Sequence, residues 1–138
     1  MYSILQAAHS GTRWLVLVGV ALTLVYGLIL WFSKKPLNSN GKKLALFTMI
    51  FSHLQLVMGL ILYFISPKVQ LGNMAATMKD ATLRFYAVEH ITIMILAIVA
   101  ITVGYSWSKR LMNTLKGSRI LAIFMLIGFI LLMLGIPW

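Results

Sequence analysis

Four apolar runs, at approximately residues 5–32, 44–66, 85–107 and 120–138, take up most of this 138-residue chain. Each is near or above the roughly 20 helical residues needed to cross about 30 Å of hydrocarbon. The chain is 61% hydrophobic and 10% charged, and apart from Arg13 and Glu89 the few charges fall between the runs rather than within them. A soluble bundle needs polar stripes on its outward faces, and residues 120–138 contain no charge at all; such all-round apolarity suits lipid as the solvent. A membrane β-barrel is a poor alternative, because the runs are continuous rather than alternating. The expectation is an all-α, integral membrane four-helix bundle. One transmembrane domain fills residues 1–138, and the loops are too short for a separate soluble domain.

The basic residues supply the orientation. Lys34, Lys35, Lys42 and Lys43 lie between the first two spans, and Lys109, Arg110, Lys116 and Arg119 between the last two, with no acidic neighbour in either loop. The positive-inside rule places both loops in the cytoplasm and both termini on the non-cytoplasmic side. The opposite face carries Arg13, Lys68, Lys79 and Arg84, and the only acids, Asp80 and Glu89, lie towards it. The net charge of +10 therefore reads as membrane orientation, not nucleic-acid binding. Trp31 and Trp107 fall at inner ends of spans and Trp14 and Trp138 towards outer ends, forming an aromatic belt. The first run lacks a basic n-region and a small-residue cleavage site, so it reads as a retained helix. There is no cysteine, hence no disulfide, thiolate ligand or covalent haem attachment.

Between spans one and two, Pro36, Asn38, Asn40 and Gly41 make a turn that ends one helix and starts the next. The longest linker follows Ser66-Pro67; within it Leu71, Met74, Ala75, Met78 and Thr82 recur at helical spacing, which fits a short amphipathic surface helix, with a flexible loop as the alternative. Span three carries Ala97, Ala100 and Gly104, a small-residue seam for close helix contact. Span four reads as a packing or lipid-facing member.

His9, His53 and His90 sit one apiece in the first three runs. An ionisable side chain at membrane depth is costly, so a functional site is the default hypothesis. Counting about 1.5 Å per residue from the cytoplasmic ends puts His53 near mid-membrane, His90 about 10 Å further out and His9 near the outer interface. The same count brings Arg13 and Glu89 level, which predicts an ion pair between them, since a lone buried charge is far worse than a paired one. The sharpest reading of the histidines is axial ligation of one b-type haem by residues of facing helices. His53 with His90 is the preferred pair, and His9 with His90 has a similar axial offset. Arg13 and Arg84 are the candidate partners of the propionates, although Arg84 is equally an ordinary interface anchor.

Blander roles stand beside this one. A single intramembrane histidine often serves as an interhelical hydrogen-bond donor, as Gln55, Thr23 and Thr92 do. The methionines are mostly packing filler, with only Met58 and Met94 placed near the histidines. A zinc or copper site built from His9, His53, His90 and Glu89 requires all three imidazoles at one depth. An accessory structural subunit needs the polar residues only to lock helices together. No nucleophile–base constellation is visible, so an electron carrier or subunit is favoured over a stand-alone enzyme.

The stretch His9-Ser10-Gly11-Thr12-Arg13-Trp14-Leu15, then His53-Leu54-Gln55 with Gly59, then Glu89-His90 heading the third span, resembles a group of short four-helix bacterial inner-membrane proteins described as cytochrome b-like. More distantly it is similar to the cytochrome b561 and CopD-type bundles. The resemblance covers about three quarters of the chain. It implies location in the bacterial inner membrane, b-haem held by histidines, and electron exchange with quinone or a periplasmic redox partner, alone, as a homo-oligomer or within a larger membrane complex. With three intramembrane histidines instead of four, the chain can form only one bis-histidine haem site.

Overall fold

The computed structural model describes residues 1–138 as helices joined by short loops, with no strand. The elements are α1 (Tyr2–Phe32), α2 (Ser39–Ile65), a short α3 (Met74–Lys79), α4 (Ala81–Arg110) and α5 (Leu115–Gly135), with one π-helical turn at Phe85–Glu89 inside α4. Helices α1, α2, α4 and α5 are each long and apolar enough to cross a membrane. The short helix expected in the long linker is α3. The four long helices start earlier than the apolar runs do; polar side chains at Asn38, Asp80 and Thr114 cap α2, α4 and α5, while α1 starts after Met1 without a side-chain cap.

Local chemistry explains the ends. The α1 terminus closes with Lys35 N–H donating to the Leu30 carbonyl and Lys34 N–H to that of Trp31, with Lys34 left-handed at φ 54°. This pair of bonds satisfies carbonyls that the helix leaves orphaned. Helix α2 starts at Asn38, whose side chain accepts from Gly41 N–H at 2.9 Å and from the Tyr26 hydroxyl at 2.8 Å. Helix α5 starts at Thr114, whose hydroxyl accepts from Gly117 N–H. Side-chain acceptors at these positions replace the missing backbone partners of the first turn.

The long helices form a square: α1 and α4 each lie beside α2 and α5, and face one another along the diagonal. The α2–α4 seam is the thinnest of the four sides. On α1, Leu15, Val18, Leu22, Val25 and Ile29 face outward at three- and four-residue spacing, an apolar stripe suited to lipid contact. Inward, Val16, Leu17, Val20 and Leu24 pack against Ala97, Ile101 and Tyr105 of α4 and Leu121, Met125 and Leu132 of α5. The small-residue seam on α4 is buried as expected, and it faces α5: a Cβ on Gly104 would lie 2.6 Å from the Phe124 Cβ. Helix α5 packs on one face and leaves Ile123, Leu126, Ile127, Ile130 and Leu134 exposed on the other, a second stripe suited to lipid contact. It buries Ser118, Leu121, Ala122, Met125, Gly128 and Leu132 between α1 and α4.

Candidate functional site

At the end of the bundle where both termini lie, the four helices line a cavity of about 190 Å³ that is open on one side. Two histidines reach it from diagonal helices. The rings of His9 on α1 and His90 on α4 have centroids 6.5 Å apart and planes at 81°.

The His90 ring is fixed through one nitrogen. Its Nδ1 lies 2.7 Å from the Gly135 carbonyl of α5; a carbonyl only accepts, so Nδ1 carries the hydrogen and, in the neutral ring, Nε2 carries the lone pair. That is the arrangement by which a ligating imidazole is commonly oriented. Phe85 flanks the same ring at 5.8 Å. His9 is held by its backbone: Gln55 Nε2 donates to the His9 carbonyl at 2.7 Å, and the Thr12 hydroxyl donates to Gln55 Oε1. Gly59 lets the His9 ring rest on α2, since a Cβ there would meet His9 Cε1 at 3.0 Å. The His9 Nδ1 is buried without a hydrogen-bond partner.

The preferred pairing of His53 with His90 does not form. His53 is exposed on the outward face of α2 shared with Ile50, Leu54 and Val57, and its Nδ1–H donates at 2.8 Å to Met49 O, a carbonyl of its own helix. Gln55 faces α1, and residues two apart on a helix point to nearly opposite sides. With Gln55 turned inward, His53 is turned out. His9 and His90 meet because α4 runs on to Arg110, three residues past the sequence-based limit. Those residues raise His90 by about 4.5 Å relative to the loop end.

The Arg13–Glu89 ion pair is likewise corrected: Glu89 Oε1 accepts from Arg84 Nε at 2.7 Å. Residues 84 and 89 are five apart and would diverge on an α-helix, but the π-helical turn between them has an i→i+5 repeat and brings them into register. Arg84 also donates to the Met78 carbonyl and does not line the cavity, so it is not placed to meet a ligand's acid groups. Arg13 does line it, with its Nε buried and unpartnered. The second cation in the wall is Lys68, which sequence reading assigned only to the outer face; its Nζ lies 5.1 Å from the Tyr86 ring centre. Of the two methionines singled out, Met94 lines the cavity and Met58 does not.

No cluster of three or more His, Cys, Asp or Glu side chains is present, so the zinc or copper site does not assemble. Two imidazoles suffice only where another group fills the remaining coordination positions, as a porphyrin does. Metal–nitrogen bonds of about 2.0–2.1 Å on either side of an ion, with each nitrogen roughly 1 Å from its ring centre, set the centroids roughly 6 Å apart. The observed 6.5 Å is of that length, with the two rings meeting edge to face. The cavity is smaller than the roughly 300–1,000 Å³ of sites that enclose a whole drug-sized ligand. A porphyrin held there would extend through the open side. No known family model, curated protein or solved structure matches this chain.

Proposed function

We propose that this chain is a multi-pass protein of a bacterial inner membrane that holds one b-type haem between His9 and His90 and serves in electron transfer. The observation that carries the reading is the pair of imidazoles from diagonal helices, 6.5 Å apart, one of them oriented through Nδ1 by Gly135. When bound, haem supplies a one-electron couple whose potential is tuned by its axial ligands and surroundings. The chain's own residues hold and shield it. Leu17, Leu56, Ile98 and Leu132 give the site an apolar wall, and Arg13 and Lys68 are cations without a carboxylate partner, suited to propionates. The resemblance in the first three spans supports the same assignment, with quinone or a periplasmic protein as the redox partner. The distribution of lysine and arginine supports cytoplasmic loops and non-cytoplasmic termini.

Reconstitution tests it. Ferric haem titrated into detergent-solubilised protein is expected to bind one equivalent with a six-coordinate, low-spin spectrum. Unbound haem, or a spectrum that survives loss of both His9 and His90, contradicts the assignment.

A further inference from the structure

The other end of the bundle concentrates charge. The α1–α2 loop and the α4–α5 loop are latched to one another: Leu37 N–H donates to the Thr114 carbonyl at 3.0 Å, and Asn113 N–H donates to the Leu37 carbonyl at 2.9 Å. The Ser118 hydroxyl adds a third tie, donating to the Lys35 carbonyl at 2.8 Å. Leu37 is fully buried as the peg between them. Lys34, Lys35, Lys43, Lys109, Arg110, Lys116 and Arg119 are exposed around this latch, and Lys42 is half-buried. None has an acidic partner, because the chain's only ion pair, Arg84–Glu89, belongs to α4 at the opposite end.

From this we infer that the two latched loops form one rigid basic platform that binds the phosphates of acidic phospholipids. Cations on separate flexible loops would have to be ordered at each binding event, whereas here the backbone already holds them together, so less freedom is lost. Trp31 and Trp107 lie in the same region, at the heads of the apolar faces, where aromatic rings meet lipid headgroups. A soluble polyanion would find the same charges. Lipid is favoured because the platform sits directly on four apolar helices, which bring the charges to headgroup level. The inference rests on the membrane reading proposed above and is independent of haem.

The experiment uses a Trp14→Phe, Trp138→Phe background, so that fluorescence reports from Trp31 and Trp107 alone. Quenching by brominated-chain phosphatidylglycerol is compared with quenching by brominated-chain phosphatidylcholine. The expected preference for the acidic lipid is about tenfold at ~0.1 M salt, collapsing towards unity at ~1 M, where charges are screened within about 3 Å. Replacing Lys34, Lys35, Lys116 and Arg119 together by Gln should abolish it. Leu37→Ala with Ser118→Ala retains all eight charges and should lower it several-fold, with thermal melts reporting that the variant remains folded. Equal quenching by the two lipids, an undiminished preference in the latch variant, or displacement of phosphatidylglycerol by stoichiometric heparin would overturn the proposal. Alkaline extraction separates the two readings. A chain released from bilayers sinks the membrane assignment as well, whereas a retained chain with equal quenching sinks the lipid platform alone.

Discussion

The two ends of this bundle satisfy their polar groups in opposite ways. At the loop end, backbone exchanges between the two loops, the Ser118 tie to Lys35 and the Thr23–Thr48 hydroxyl pair nearer the middle leave no buried side-chain donor or acceptor unpartnered. At the terminal end, His9 Nδ1 and Arg13 Nε are both buried without partners, and both belong to residues that line the cavity. An unsatisfied buried polar atom costs about 1–3 kcal/mol. The loop end is therefore polar-satisfied, and the terminal end carries an unmet polar deficit in the residues beside its cavity.

The largest expected break in this contrast comes from the facing imidazoles. Under the haem reading, His90→Ala or His9→Ala should remove the six-coordinate spectrum outright, while His53→Ala, on the outward face, should leave it unchanged. Absorption spectra of the three variants check this. Next in size is overpacking at the closed side of the core. Gly104→Ala drives a Cβ to within 2.6 Å of Phe124 and should destabilise the protein by about 1–3 kcal/mol, read from denaturation in mixed micelles. Gly59→Ala, pressing instead on the His9 ring, should alter the haem spectrum more than the melting temperature.

Smaller effects sharpen the roles of the two arginines. Arg13→Gln should weaken haem binding roughly tenfold, the scale of one lost charge-assisted hydrogen bond, measured by haem titration. Arg84→Gln breaks a pair that is more than a third exposed on both sides and should change stability by less than about 1 kcal/mol, with haem affinity unmoved.

These contrasts also mark what the sequence could and could not reveal. The four long helices were legible because lipid-length apolar runs have few other solutions, and the buried seam of Ala97, Ala100 and Gly104 because small residues recurred at helical spacing. The inward face of α2 is legible too, with Gln55 as its marker: Gly41, Ala45, Thr48, Ser52, Gln55 and Gly59 share one side, which leaves His53 on the other. The Arg84–Glu89 pair was not legible, because α-helical spacing separates those residues and nothing in Phe85–Glu89 announces a π-helical turn. The contact of His90 with Gly135 was also hidden, since it depends on how α4 and α5 meet in space. The role of Lys68 depended on the path of a linker whose composition fits a loop or a helix equally well.

The central claim is that a prosthetic group is gripped between α1 and α4, and the most direct measurement is the absorption spectrum of protein purified from haem-replete cells. The account expects a Soret band that shifts and sharpens on reduction, in a stoichiometry of one haem per chain. A colourless preparation that is nonetheless fully helical and folded would contradict it.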